Sequence, residues 1–169
     1  MSAPTGTRTH KARAPDVPVR LGVGALVVLV VLAVTGLEPL RVSSSSMNPT
    51  LAAGDQVLVE KLTGHWRAPV VGDIVVFRDP GGHELVVKRV VALGGQTVGL
   101  EDGELVVDGT VRHEPQVDVS RIDSTYFGPV TVPWDAVFVM GDNRSESIDS
   151  RTYGPVRRSD VVGRVVLSW

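Results

Sequence analysis

The chain has 169 residues, no cysteine and a formal net charge of -2 at pH 7. These values exclude disulfides, cysteine catalysis and cysteine-ligated zinc, and they provide no overall basic field of the kind that binds nucleic acid. The length suits one modest domain with a short tail. The 18 glycines, 11 prolines and low aromatic content of 5%, together with abundant valine, predict a turn-rich, mainly β fold.

The first forty residues predict a tail followed by a membrane anchor. Residues 1–20 are polar, basic and interrupted by prolines, which is typical of a disordered segment. Residues 21–37 carry no charge, and with flanking residues up to position 40 they approach the roughly 20 apolar residues that cross a bilayer. A buried core helix is disfavoured because the run has no polar face, and a cleaved secretory signal is disfavoured because no clean A-x-A site follows. Residues 21–40 therefore predict an uncleaved transmembrane anchor.

The distribution of charge around this run predicts its orientation. Basic side chains concentrate before the apolar residues, and cytoplasmic flanks of membrane helices carry the excess of lysine and arginine. We therefore expect a single-pass protein of the plasma membrane with a cytoplasmic N-terminus and an extracytoplasmic domain over residues 41–169.

The extracytoplasmic part predicts one β domain. Short β-branched or alternating runs bounded by turn residues lie at 55–60, 72–77, 84–91, 104–107, 137–140 and 161–169. Residues 80–82, Pro-Gly-Gly, are a turn signal between the second and third runs. Residues 100 to about 133 are expected to form a small variable subregion, irregular from residue 113 onward.

The serine run at residues 43–46 is the first candidate for chemistry. Such runs are usually solvated linkers, but here apolar residues follow at once and Pro49 restricts the backbone on both sides of its peptide bond. A rigid turn of this kind could present Ser46 as a nucleophile. A serine hydroxyl is a weak nucleophile alone, so the hypothesis requires a base.

Lys88 is the favoured base. The four histidines, at positions 10, 65, 83 and 113, lie outside apolar strands and are interpreted as surface residues, although a Ser/His peptidase using His83 or His113 remains an alternative. Lys88 instead interrupts an apolar strand, on the face shared by Val86 and Val90 and opposite Arg89. An edge-strand lysine that blocks aggregation is the structural alternative. Burial among valines would lower the lysine pKa, and a base active near neutrality needs a shift of roughly 2–3 units.

A dense polar segment at residues 141–151, with the sequence GDNRSESIDSR, is the third candidate. An ordered surface loop would explain it, but Asp142 and Asp149 with Arg144 and Arg151 could form bidentate pairs that fix the loop. A hydroxyl such as that of Ser147 could then orient a neutral lysine amine. A metal site is discounted because no histidine or other clear ligand set accompanies the two acids, and no cofactor is expected.

Together these segments resemble bacterial type I signal peptidases, membrane-anchored serine proteases with a Ser/Lys dyad. Residues 46–51 (SMNPTL) resemble the nucleophile box of that family, residues 72–77 (GDIVVF) a following strand, residues 88–91 (KRVV) the base box, and residues 141–151 the box G-D-N-R-x-x-S-x-D-S-R. The order of the boxes also agrees, over about residues 41–169. The departures are Ser43 and Ser45, where the family often has Pro and Gly or Glu, and residues 92–96, where its usual Gly-x-Pro-Gly-Asp turn is absent.

The resemblance implies a fold and a set of roles. The fold is a barrel-like core of coiled antiparallel sheets. Ser46 is the implied nucleophile, Lys88 the general base, and the Ser46 N–H and the Ser44 hydroxyl the implied oxyanion hole. Ser147 is implied to hydrogen-bond the Lys88 amine, with Asp149 and Arg151 supporting the loop.

The expected activity is removal of N-terminal signal peptides from secreted preproteins after small residues at A-x-A sites. The candidates for lining shallow apolar pockets are Val42, Met47, Leu51 and Val87. The expected partners are preproteins and the lipid bilayer, not nucleic acid, and the protein is expected to work as a monomer. The alternatives are a Ser/Lys self-cleaving repressor of the LexA type, which would need a DNA-binding domain, and a membrane-tethered β module that binds a partner without catalysis.

Overall fold

The structure, a computed structural model, describes residues 36–61, 68–82, 84–118 and 126–169, and these residues are mainly β. Their strands are β1 Leu37–Arg41, β2 Gln56–Glu60, β3 Ile74–Arg78, β4 Leu85–Leu93, β5 Thr97–Glu101, β6 Glu104–Val107, β7 Thr110–Arg112, β8 Phe127–Thr131, β9 Ala136–Met140, β10 Val156–Arg157 and β11 Val161–Ser168. One short helix, α1, spans Ser150–Tyr153, and 3-10 turns span Arg144–Glu146 and Arg158–Asp160. The predicted mainly β fold is therefore confirmed.

The strands form two antiparallel sheets. The larger sheet has seven strands in the order β1-β2-β11-β3-β4-β9-β10, and the smaller has four in the order β7-β6-β5-β8. The strands of the smaller sheet lie between Thr97 and Arg112 and at Phe127–Thr131, which overlaps the small subregion predicted over residues 100 to about 133. Residues 127–131 form β8 within it, so the irregular flap expected up to about residue 133 is wrong over this strand. β8 has the sequence FGPVT, and its largely exposed residues, with a glycine and a proline among them, show no clear strand alternation in the sequence.

β4 is the central element, because it contributes to both halves of the core. It pairs with β3 from Leu85 to Arg89 and with β9 from Arg89 to Leu93, with a bulge between Val90 and Ala92. A bulge inserts one extra residue, so the residues on its two sides can face opposite layers. Val90 accordingly packs with the cluster between β3 and β9, whereas Val91 and Ala92 pack against the small sheet.

The predicted anchor lies mostly outside the described residues. Its last four residues do not: residues 37–40 belong to β1, which pairs with β2 in the register Leu37 to Glu60 through Arg41 to Gln56. The predicted end of the anchor at residue 40 is therefore wrong. The apolar side chains of residues 37–40 resemble the end of a membrane span in the sequence, but they belong to a partly buried edge strand. Among the described residues, none of the helices has the length and apolar character needed to cross a bilayer.

Candidate active site

A cleft of about 360 Å³ lies between the segment that follows β1 and the first half of β4. On the side of β4 away from β3, pairing with β9 begins only at Arg89, so within the described residues 85–88 have no strand partner there. Leu85, Val86, Val87 and Lys88 all line the cleft. The cleft therefore contains an open strand edge that ends at a lysine.

Ser46 and Lys88 meet at this end of the cleft. Lys88 Nζ lies 2.6 Å from Ser46 Oγ, which is hydrogen-bonding distance. Lys88 is 3% exposed and Ser46 6% exposed, so the contact is shielded from water. The strand alternation that predicts an inward Lys88 and the turn that predicts a rigid Ser46 are both consistent with this placement.

The environment of Lys88 favours its neutral form. Burial lowers the pKa of the Lys88 ammonium from 10.5 to about 8, while the nearby carboxylates Asp149 and Asp79 act in the opposite direction. Desolvation dominates because the Lys88 residue is almost completely removed from solvent. An amine with a pKa near 8 can accept a proton close to neutral pH.

The nucleophile segment is held by the loop that follows β9. The Asn143 backbone N–H donates to the Ser46 carbonyl at 3.1 Å, and the Asn143 side-chain amide donates to the Ser45 carbonyl at 3.2 Å. Gly141 lies so close to this segment that a Cβ there would collide with the Ser46 carbonyl and the Ser147 side chain. Only glycine permits this approach, so the sequence of the loop sets the position of Ser46.

A buried ionic clamp joins the nucleophile segment, the base strand and the same loop. Arg89 donates to Asp142 through Nε at 2.8 Å and Nη2 at 2.6 Å, a bidentate pair. The Thr50 hydroxyl donates to the same carboxylate at 2.5 Å. Asp142 is 2% exposed, so it depends on these donors for its stability as an anion. Because Arg89 adjoins Lys88 and Thr50 lies four residues after Ser46, the clamp links the segments that carry Ser46 and Lys88.

Of the ion pairs predicted within the 141–151 loop, the one between Asp149 and Arg151 forms, whereas Asp142 and Arg144 find partners outside the loop. Asp149 accepts from Arg151 at 2.9 and 3.0 Å and from the Gly141 N–H at 3.0 Å. Arg151 also donates to the Arg144 carbonyl at 2.7 Å. Asp142 and Arg144, in contrast, pair outside the loop, Asp142 with Arg89 and Arg144 with Glu114, each at 2.6 Å, so only one of the expected pairs forms within the loop.

The remaining predicted site residues divide into those at the cleft and those away from it. Ser44 Oγ lies 3.2 Å from Ser46 Oγ. Val42, Met47 and Val87 line the cleft, whereas Leu51 is 1% exposed in the core and is not among the lining residues.

Ser147 makes no hydrogen bond to Lys88 in the structure. Its hydroxyl is buried and has no hydrogen-bond partner among the described residues, because it packs against Gly141 while the lysine amine reaches Ser46. Of the histidines, His113 is exposed and away from the cleft, and the other three lie outside the described residues.

Sequence reasoning missed three side chains at this site. Thr50 and Arg89 complete the clamp, and Glu146 lies at the cleft with its carboxylate bound by Ser45 and Asn143. Arg89 could have been found from the sequence. Strand alternation places it on the face opposite Lys88 of a half-buried strand, where a guanidinium needs a nearby anion. Glu146 carried no such signal, because its contact with Ser45 joins residues that are 101 positions apart.

The chain is similar to several known proteins. The sequence profile of the family "Signal peptidase, peptidase S26" matches residues 18–169. The signal peptidase I of Leptolyngbya laminosa is 36% identical over 90% of this chain and 80% of its own length. A probable thylakoidal processing peptidase 2 of Arabidopsis thaliana is 40% identical over 78% of this chain, and this chain spans about two fifths of the length of the Arabidopsis relatives.

A solved structure is also similar. The crystal structure of a signal peptidase I from Enterococcus faecalis V583 matches with a TM-score of 0.52 and 30% identity, over 58% of this chain and 97% of the solved chain. The protein therefore belongs to the signal peptidase, peptidase S26, family.

Proposed function

We propose that this protein is a membrane-anchored serine endopeptidase that removes N-terminal signal peptides from secreted preproteins. The observation that carries the proposal is the 2.6 Å approach of Ser46 Oγ to a buried Lys88 amine at the end of an open strand edge. A binding module would gain nothing from a buried lysine with a lowered pKa, whereas a hydrolase needs one.

The substrate binds in extended form along the open edge of β4. Residues 85–88 offer backbone donors and acceptors on that side, and an incoming chain adds a strand between them and residues 42–44. Val42, Met47 and Val87 form the apolar walls, which accept small side chains before the cut and exclude large ones. Leu51 supports Met47 from within the core and does not line the cleft.

The reaction proceeds through an acyl-enzyme. Neutral Lys88 takes the proton from Ser46 Oγ as the oxygen attacks the scissile carbonyl, forming a tetrahedral oxyanion. The Ser46 N–H and the Ser44 hydroxyl stabilise that oxyanion, each donor being worth about 3–4 kcal/mol. The protonated lysine then gives its proton to the leaving amine as the C–N bond breaks. Lys88 next activates a water molecule that hydrolyses the ester and restores Ser46.

The loop 141–151 supports this chemistry by fixing geometry. Asp149 and Arg151 stiffen the loop, and Asn143 holds the Ser46 carbonyl. Ser147 is a positioning residue for the Lys88 amine when the lysine moves off Ser46 during turnover, since its hydroxyl is available and buried nearby.

The N-terminal residues supply the membrane location. Residues 21–35 form the body of the anchor, with a cytoplasmic tail before it and the catalytic domain outside the plasma membrane. Two membrane-held reactants meet at a raised effective concentration, which favours a preprotein whose signal helix lies in the same bilayer. Both reacting side chains come from one chain, which supports action as a monomer.

The test is cleavage of a purified preprotein in detergent by the wild type and by the variants Ser46→Ala and Lys88→Ala. We expect both variants to lose cleavage by at least a thousandfold, because each removes one half of the reacting pair. Ser159→Ala, at an exposed residue, and Lys61→Ala, at a partly exposed residue, are matched controls at positions that do not line the cleft, and they should retain wild-type activity. Near-normal cleavage by either dyad variant would refute the proposal.

A further inference from the structure

Glu146 has a fixed position beside Ser46, but it has no part in the proposed reaction. Its Oε2 accepts from the Ser45 hydroxyl at 3.0 Å and from the Asn143 side-chain amide at 3.0 Å. Asn143 is 7% exposed and is itself held by the Ser45 carbonyl and by Ser145. The carboxylate is therefore anchored at the mouth of the cleft rather than free to rotate in solvent.

The position of Glu146 relative to a bound substrate follows from which part of the β4 edge is open and which part is covered by β9. The open edge of β4 runs from Leu85 to Lys88, and residues of a substrate before the cut lie along it. Beyond Lys88 the edge is closed by β9, whose strand leads into the loop that carries Glu146 and Ile148. The chain that leaves after the cut must therefore pass these two side chains, of which Ile148 is 72% exposed.

The charged side chains that line the cleft are also mostly negative. When Lys88 is neutral and able to act as a base, the ionic side chains that line the cleft are the carboxylates of Asp79, Glu84 and Glu146 and the guanidinium of Arg41. A concave surface with an excess of one charge attracts the opposite charge. Asp79 and Glu84 flank the β3–β4 turn, beside the start of the open edge, whereas Glu146 contacts the residue before Ser46.

We propose that Glu146 is a specificity-determining residue for the segment after the scissile bond, and that it selects mature N-termini with lysine or arginine in their first two positions over those with aspartate or glutamate. This inference rests on the proposed function. Glu146 acts on binding of the leaving segment and takes no part in proton transfer.

The experiment uses the full-length protein in detergent and three peptides with one Ala-x-Ala site, which differ only in carrying Lys-Lys, Ala-Ala or Glu-Glu directly after the cut. For the wild type, we expect kcat/KM to fall from the lysine to the alanine to the glutamate peptide, by about two- to five-fold at each step, the range of an exposed ion pair. The order should collapse as salt rises towards 1 M, where charges are screened within about 3 Å.

Three variants isolate the residue. Glu146→Gln keeps an oxygen for Ser45 and Asn143 and should bring the kcat/KM values of the three peptides within about a factor of two of one another. Glu146→Lys should reverse the order. Glu104→Gln, which removes an exposed carboxylate from β6 away from the cleft, should behave as wild type.

The outcomes separate this inference from the proposed function. Cleavage of the alanine peptide that depends on Ser46, without discrimination among the three peptides, overturns the inference and leaves the function standing. Discrimination that survives Glu146→Gln, or that follows lysines placed before the cut instead, also overturns it. Absence of Ser46-dependent cleavage of the alanine peptide overturns the proposed function and this inference with it.

Discussion

The pH dependence of cleavage tests the base directly. With the pKa of Lys88 lowered to about 8, about one tenth of the molecules carry a neutral amine at pH 7 and about nine tenths at pH 9. Because only the neutral amine accepts the Ser46 proton, kcat/KM should rise about tenfold between these two pH values and then level off. The measurement is a kcat/KM profile with an alanine-site peptide, since this parameter reports the pKa of the free enzyme.

A single substitution perturbs the same titration. Asp79 is half-buried at the cleft wall, and its negative charge raises the pKa of Lys88. Asp79→Asn should therefore move the midpoint of the profile to lower pH and increase the ratio of activity at pH 7 to activity at pH 9. The ratio cancels any change in peptide binding that does not itself depend on pH. Glu104→Gln, a neutralisation away from the cleft, should leave the midpoint in place.

Two results would refute the reasoning. A maximum of kcat/KM below pH 7 would show that the essential group is not a lysine with a pKa near 8. A midpoint that moves to higher pH in Asp79→Asn would show that the carboxylate does not act on the base through its charge.

Three further predictions concern stability and geometry. Lys88→Met should abolish cleavage yet raise the free energy of unfolding at pH 7 by about 3 kcal/mol, because a pKa lowered from 10.5 to about 8 means that the folded protein binds the lysine proton less tightly than the unfolded chain does. This gain should shrink between pH 8 and 10.5, where the unfolded chain still binds the proton and the folded wild type does not, and chemical denaturation at several pH values measures it. Gly141→Ala should lower kcat by about a hundredfold because its Cβ displaces the Ser46 carbonyl, a loss measurable by single-turnover cleavage, whereas the matched Gly81→Ala has room and should not. Asp142→Asn should cost about 3 kcal/mol in urea unfolding, since it leaves Arg89 without its buried anion, and an effect below about 1 kcal/mol would contradict the clamp.

The parts of this site that depend on local pattern could be predicted from the sequence. Alternation along a single strand is enough to place Lys88 inward and Arg89 on the other face, and a proline-restricted turn is enough to single out Ser46. The partner of Arg89 could not be found in this way, because Asp142 lies 53 positions further along the chain and only the pairing of β4 with β9 brings it near.

Two fold errors have the same origin in local composition. Residues 37–40 were assigned to the anchor because an edge strand and the end of an apolar span use similar side chains, and only pairing with β2 separates the two. β8 was missed because its residues are largely exposed and include Gly128 and Pro129, so that its identity comes from pairing with β5 rather than from its own pattern.

The adjacency of Lys88 and Arg89 has a consequence for folding fidelity. Lys88 must become neutral to act as a base, whereas Arg89 must stay charged to bind Asp142. The two residues lie on opposite faces of β4, because side chains alternate along a strand with a period of two. A slip of β4 by one residue against β3 would exchange them, placing a permanently charged guanidinium beside Ser46 and a lysine beside Asp142. Such a molecule could retain its sheets but would hold no base. Catalytic activity in this protein is thus a readout of strand register, finer than any measure of secondary structure content.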